Sequence, residues 1–587
     1  MIERVSAEEP RVGSIWAGEH PLRRLHRRAL IAGAAGALAA TSRHTGAQGR
    51  LGSSPLPRRP LDFRPFAVEL ARLTPEARGR LDGLVPEATV LELQSDLDAG
   101  RYSAVDLAAY YVDRIHRLDA IRLHAVIELN PEALLIAAER DAERAQSRAR
   151  GPLHGIPILL KDNIGTGDRL HTTAGAAALS GARSDRDAHL VAGLREAGAV
   201  ILGKTNLSEW AYWMSYVAPS GFSAVGGQVL CPYGEGIDPF GSSTGSAVAA
   251  SMNLAATTVG TETMGSIVSP AARASVVGMK PTLGLVSRDR VAPISDECDS
   301  AGPIGRTVTD VAATLTAMAA ARDPRDRHST RAEGLHGTDF VTALDRNALR
   351  GKRVGVLGVD GGQAASDDWI IGNAGLSDAA AAMKAAGARV VALRPPPFAL
   401  EGPGFVPVFN WGLREGVNAY LAATEAPMRA LDDVIAFNDE DPGRYAPWGQ
   451  DRLRDCLWSP LGETEARQIA RSNRQQARAY LEALFDGEDL DALAGVDSLQ
   501  SMIYPFAGFP AIAVPAGIPA WGEAPYAVTF IGRARSDGEL LAMAYAYEQH
   551  SRSRIPPALG RSVDAPGFSG VRARAGRPAW TWGLTDS

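Results

Sequence analysis

A helix closed by glycine and followed at once by a strand occurs twice in this chain. Asp187 to Ala197 reads as a helix, Gly198 ends it, and Ala199-Val200-Ile201-Leu202 reads as a strand. Ser377 to Ala386, Gly387 and Arg389 to Leu393 repeat the order. Such alternation implies an α/β fold, a sheet covered by helices on both faces. The two copies do not form a solenoid repeat. Ser103 caps an amphipathic helix running to about Asp119, with Val105, Leu107, Ala108, Tyr111, Val112 and Ile115 at helical spacing. Asn130-Pro131-Glu132 opens another, because proline suits a first helical turn. The apolar run Ile156 to Leu160 predicts a short buried strand that ends on Lys161.

That lysine carries chemical weight. A serine hydroxyl is a poor nucleophile at neutral pH and needs a base within hydrogen-bond reach. A lysine amine serves only when neutral, and burial among apolar neighbours favours the neutral form. Two loop serines follow downstream. Ser242 lies in Gly241-Ser242-Ser243-Thr244-Gly245-Ser246, and Ser266 follows 24 residues later in Gly260-Thr261-Glu262-Thr263-Met264-Gly265-Ser266-Ile267-Val268. A bridging hydroxyl accepts one proton while donating another, so Ser242 is placed to relay between Lys161 and Ser266. Ser-Lys variants of the catalytic triad are a recognised chemistry. A turn at Thr263-Met264-Gly265-Ser266 presents backbone N–H groups to a developing oxyanion, each worth roughly 3 kcal/mol. Taken singly, each element has a plainer reading: a solvated strand end, a turn, a helix cap. Their order and spacing together are far more specific.

These motifs resemble the amidase signature family. Further stretches carry the likeness, among them Thr172-Thr173-Ala174-Gly175, Gly203-Lys204-Thr205-Asn206-Leu207-Ser208-Glu209-Trp210, Gly278-Met279-Lys280-Pro281-Thr282 and Ala507-Gly508-Phe509-Pro510-Ala511-Ile512. The resemblance covers roughly residues 87–556 and implies one large α/β core with a mixed central sheet. Within it, a variable segment at about 325–490 helps to wall the substrate site. The resemblance further implies Ser266 as nucleophile, Ser242 as bridging serine reached through a cis peptide bond, Lys161 as base, and no metal or organic cofactor. Glu262 and Val268 stand where many members have aspartate and arginine, a spelling most similar to bacterial peptide amidases, which act on the C-terminal amides of peptides. Met264 replaces a glycine or aspartate. It leaves the backbone N–H in place but alters the lining of the acyl pocket.

The chain has 587 residues, 45% hydrophobic and 22% charged, which suits a globular enzyme. A net charge of −6, with no long basic run beyond the N-terminus, gives no sign of nucleic-acid binding. Arg23-Arg24-Leu25-His26-Arg27-Arg28 followed by the short apolar stretch 29–40 has the pattern of an export signal. The paired arginines favour the twin-arginine route, with cleavage after Ala47 and a periplasmic location. A cytoplasmic home follows if residues 1–47 are not a working signal. The stretch is too short for a stable membrane anchor. Residues 48–86 are expected as a loose linker and 557–587 as a peripheral tail. Cys231, Cys298 and Cys456 have neither metal-ligand spacing nor a disulfide framework. The expected partner is a small-molecule or peptide amide, bound by a monomer or homodimer.

Three rival readings remain open on sequence alone. Gly241-Ser242-Ser243-Thr244-Gly245 also fits the G-x-S-x-G nucleophile elbow, with Ser243 attacking and a histidine such as His550 as base. That motif needs a strand directly before it, and Gly234 to Pro239 is a poor one. A transamidase-type subunit that works on charged tRNA, and a degenerate member that only binds amides, are the other two.

Overall fold

The computed structural model describes residues 58–357, 374–393, 398, 400–519 and 522–558, which all fall in one contact unit. The expected export segment 1–47 and nearly all of the tail after 557 lie outside them. In chain order the described strands are β1 (Val126–Leu129), β2 (Pro157–Lys161), β3 (Val200–Thr205), β4 (Phe222–Ser223), β5 (Gly227–Gln228), β6 (Thr257–Glu262), β7 (Val277–Lys280), β8 (Ser300–Gly305), β9 (Arg353–Leu357), β10 (Arg389–Leu393), β11 (Ala492–Val496), β12 (Ala511–Gly517) and β13 (Tyr526–Ile531). β4 and β5 form a small antiparallel pair. The other eleven form one sheet in the order β1-β3-β2-β6-β8-β7-β12-β13-β11-β9-β10. β3, β2 and β6 run parallel, as do β11, β9 and β10, while the strands between them pair antiparallel. The sheet is therefore mixed.

Side chains of a strand alternate between its faces, and here the two sets enter different cores. Ile512 and Val514 of β12 and Val528 and Phe530 of β13 join one hydrophobic cluster, together with the helices Ala104–Arg114, Val308–Met318 and Asp537–Ser551. Ala511 and Ala513 of β12 and Ala527 and Ile531 of β13 join a second, with Val406–Ala422 and Glu463–Gly487. Helices thus cover both faces, as the alternating pattern implies.

Local signals read from sequence have visible causes. The Ser103 hydroxyl accepts the Asp106 N–H at 3.0 Å, and the Asp106 carboxylate accepts the Ser103 N–H at 2.9 Å, a reciprocal cap. The helix so opened, Ala104–Arg114, continues as a π-helical stretch, Ile115–Leu123. The next helix, Ala133–Ala145, starts three residues after Asn130, whose side chain accepts the Glu132 N–H at 3.0 Å.

One expectation needs correction. Residues 58–86 are not a loose linker throughout: Ala67–Arg72 and Pro75–Asp82 are helices, and Phe66 and Leu81 are each 1% exposed within the first core. The Thr74 hydroxyl caps the second helix, Pro75 starts it, and Arg78 grips Asp113 through two bonds of 3.0 Å. Within 325–490, the described residues include the helix Glu463–Gly487 of 25 residues. That helix buries Ala466, Ala470, Asn473, Ala477, Leu481 and Phe485. Half of this stripe is alanine, and Leu481 and Phe485 supply its larger apolar side chains. No helix among the described residues is long and apolar enough to cross a membrane.

Because Phe66 is a core side chain, Phe66→Ala is expected to lower stability by about 3 kcal/mol. A denaturant midpoint close to the wild-type value would instead support a detached linker.

Candidate active site

The C-terminal ends of two neighbouring parallel strands, β2 and β6, define the site. Register pairs Ile158 with Thr257 and Leu160 with Val259, so Lys161 and Thr261 emerge together at one edge. Lys161 is 0% exposed. Its amine contacts Ser242 Oγ at 2.8 Å, Ser243 Oγ at 3.0 Å, Thr261 Oγ1 at 2.9 Å and the Thr261 carbonyl at 3.2 Å. Asn163 donates to Thr261 Oγ1 at 3.0 Å and so steadies that hydroxyl. Burial pushes the lysine pKa down to about 7, against the nearby carboxylates of Asp299 and Glu262, which pull it up.

The two adjacent serines are not equivalent. Ser243 Oγ donates to the Thr261 carbonyl at 2.9 Å and accepts the Thr261 N–H at 3.1 Å, so its proton is committed. Ser242 Oγ has Lys161 as its sole hydrogen-bond partner among the described residues. When the amine is neutral, the Ser242 hydroxyl can therefore donate to the lysine lone pair and accept from a further hydroxyl. The Gly241–Ser242 peptide bond is cis. This loop lies against the segment after β3, where the Ser208 N–H donates to the Ser242 carbonyl at 3.1 Å.

Ser266 lies in the loop between β6 and the helix Val268–Arg273. The Ser243 N–H donates to the Ser266 carbonyl at 3.1 Å, which brings the backbones of the two serine loops into contact. The Ser266 hydroxyl makes no hydrogen bond among the described residues and is half-buried, so it is open to a ligand. The N–H groups of Met264, Gly265 and Ser266 also lack an acceptor among the described residues, leaving three donors in succession on the loop. Three contacts shape that loop. Gly265 has φ +71°, and a Cβ there would lie 3.0 Å from Ser501 Oγ. The Thr263 hydroxyl donates to Asp299, whose other oxygen accepts the N–H groups of Ile294 and Ser295 at 2.8 Å each. Glu262 Oε2 accepts the N–H groups of Ile267 at 2.7 Å and Val268 at 3.1 Å. The Met264 side chain packs on the second hydrophobic cluster, which includes Trp213, Phe409 and Phe506.

The structure thus joins Lys161 directly to Ser242, and Ser266 to the same loop through its backbone. The arrangement does not support the nucleophile elbow. Ser243 is locked by Thr261, no strand among the described residues leads into the loop, and His550 Nδ1 lies 2.8 Å from the Ala546 carbonyl of its own helix. Two other lysines are equally buried. Lys204 contacts the Ile164 carbonyl and Thr172 Oγ1, and Lys280 contacts the Pro281 and Phe509 carbonyls; neither touches a serine among the described residues. Asp296, Glu297 and His328 lie close enough together to hold a cation, but Arg288, Arg327 and Arg474 already pair with the two carboxylates. Sequence reading missed Ser243 and Thr261 as anchors of the lysine, Asn163 behind them, and Asp299 behind Thr263. In the segment 325–490, Trp458 is 66% exposed and Tyr420 is buried. Asn410 accepts the Trp213 indole N–H at 3.3 Å.

Gly265→Ala is expected to cost about 1–2 kcal/mol from the left-handed backbone alone, read as a lower denaturant midpoint. An unchanged midpoint would mean that the loop tolerates another conformation.

Comparison with known proteins places the chain in a family. The family model described as Amidase matches residues 106–495. A probable amidase of Arabidopsis thaliana is 38% identical over 490 residues, 81% of this chain and 92% of its own length. The X-ray structure of peptide amidase from Stenotrophomonas maltophilia is 41% identical, covers 81% of this chain and 99% of that one, and has a TM-score of 0.76. A glutamyl-tRNA(Gln) amidotransferase subunit of Aromatoleum aromaticum is 30% identical over 504 residues, 79% of this chain and 97% of its own. With a large mixed sheet flanked by helices and full-length relatives of this kind, the chain belongs to the amidase signature family and is an amide-hydrolysing enzyme.

Proposed function

We propose that the chain hydrolyses linear carboxamides, with the C-terminal amide of peptides as its substrate class, through an acyl-enzyme on Ser266. The observation that carries the mechanism is the Lys161–Ser242 bond of 2.8 Å at a fully buried amine. Ser266 Oγ attacks the carbonyl carbon while its proton passes to Ser242, and the Ser242 proton passes to the neutral amine of Lys161. The oxyanion is met by donors from among the N–H groups of Thr263, Met264, Gly265 and Ser266. Lys161 returns the proton through Ser242 to the departing nitrogen, the C–N bond breaks, and ammonia or an amine leaves. Water then attacks the ester by the same route in reverse and frees Ser266. Met264 does not obstruct this chemistry, since its contribution is a backbone N–H and its side chain joins the apolar wall.

Peptide amides are favoured over a charged tRNA by the greater likeness to peptide amidase, 41% against 30% for the amidotransferase subunit. The test is a panel of peptide, aryl and short aliphatic amides with the purified chain alone, scored by ammonia or amine release. Failure on every amide would remove the hydrolase reading. A fluorophosphonate probe is expected to label Ser266 and to lose that label in Ser266→Ala, whereas labelling that persists in the variant would exclude Ser266 as nucleophile.

The lysine sets the pH dependence. A base whose conjugate acid has a pKa of about 7 is protonated, and inactive, below that value. kcat/KM is therefore expected to rise about tenfold per pH unit on the acid side and to level off above about pH 7. A flat acid limb in folded protein would contradict Lys161 as base.

A further inference from the structure

The loop that carries Ser266 is closed by a carboxylate that takes no part in the proton relay. Glu262 ends β6, is 1% exposed, and spends one oxygen on the N–H groups of Ile267 and Val268, the two residues that follow Ser266. This staple bridges residues 262 and 268, and everything proposed to meet the substrate oxygen lies inside it. A buried carboxylate needs both oxygens satisfied. The second is satisfied from far along the chain: the Tyr504 hydroxyl, on a side chain that is 0% exposed, donates to Glu262 Oε1 at 2.6 Å. Among the described residues these three bonds are all that the carboxylate makes, and Val268 offers it no cation.

The segment bearing Tyr504 touches the same loop at a second point. Ser498 and Ser501 flank Gly265, where an added Cβ would lie 3.3 Å from Ser498 Cβ and 3.0 Å from Ser501 Oγ. Tyr504 itself begins the short helix Tyr504–Ala507, and Phe506 in that helix belongs to the second hydrophobic core. The hydroxyl is thus delivered by a packed element rather than by a free loop.

We propose that Tyr504 is a positioning residue for the nucleophile: by holding Glu262 Oε1 it fixes the carboxylate that staples Ile267 and Val268, and so sets the direction of Ser266 Oγ and of the N–H groups beside it. This rests on the reading of Ser266 as nucleophile. Tyr504 stays a donor throughout the working range, because burial and the facing carboxylate push its pKa well above the ordinary tyrosine value. Tyr504 and Glu262 also have separable effects on acidity. The carboxylates facing Lys161 are Asp299 and Glu262; Glu262 also faces Lys280, and Asp299 also faces Arg288. Removing the charge of Glu262 takes away one of the two influences that favour protonated Lys161, so the lysine pKa falls. Removing only the tyrosine hydroxyl leaves that charge in place.

The experiment compares wild type, Tyr504→Phe, Glu262→Gln and Glu262→Asp on one peptide amide. It measures kcat, KM, the pH profile of kcat/KM and the rate of fluorophosphonate labelling per folded molecule. Tyr504→Phe is expected to lower kcat about 10- to 100-fold with KM within about threefold, the size of one lost hydrogen bond to a buried charge. Its acid limb should stay at the wild-type pH. Glu262→Gln is expected to lower kcat and to move the acid limb to lower pH. Wild-type kcat in Tyr504→Phe, or a loss wholly explained by a smaller folded fraction with unchanged labelling per folded molecule, overturns the proposal and leaves the amidase mechanism standing. If Tyr504→Phe does not fold, Glu262→Asp decides. It keeps the charge but shortens the reach, so reduced kcat at an unchanged acid limb supports the proposal and wild-type kcat overturns it. A wild type inactive on every amide, and unlabelled at Ser266, removes the mechanism itself and the positioning role with it.

Discussion

A primary amine held in a dry pocket among hydroxyls, rather than against a carboxylate, is the constraint that organises this protein. The amine of Lys161 contacts only Ser242, Ser243 and Thr261 among the described residues, while the carboxylates that influence it, Asp299 and Glu262, are engaged elsewhere. Pairing it directly with an acid would lock the charged form and remove its basicity. Favouring the neutral form calls for burial and a set of weaker partners. β2 supplies the burial through Ile158, Leu159 and Leu160, all 0% exposed, and the two loops supply the partners.

Much of this was legible in the sequence. Lys161 stands out because an apolar run ends on it, and the serine loops because small residues flank hydroxyls at each. The sheet with helices on both faces follows from two helix–glycine–strand units. What was not legible depends on partners distant along the chain. Ser242 and Ser243 are neighbours of one type, and only Thr261, brought in across the sheet, separates them by occupying the Ser243 proton. The link between Glu262 and Tyr504 spans 242 residues and leaves no local pattern. Thr74-Pro75 is a helix-start signal, yet the arginines and prolines around it read as linker until Arg78 meets Asp113 and Phe66 meets the core.

The loop around Ser266 shows how little of an active-site turn is self-supporting. Gly265 permits the backbone conformation, but Asp299, Glu262 and Ser501 each press on it from a different element. Such over-determination suits a loop whose Met264, Gly265 and Ser266 N–H groups have no acceptor among the described residues, since unpaired groups contribute nothing to its stability.

The register of β2 against β6 has a further consequence. The amine and the second loop leave adjacent parallel strands, so their separation is a property of the sheet ladder and not of any connecting loop. The helices Val406–Ala422 and Glu463–Gly487, which contribute to the second hydrophobic core, belong to a segment that leaves this ladder untouched. Core and ladder are therefore separable. Exchanging those helices would leave the spacing between Lys161 and the strand that leads into the Ser266 loop unchanged, a division of labour that lets one part of the scaffold vary while the other holds still.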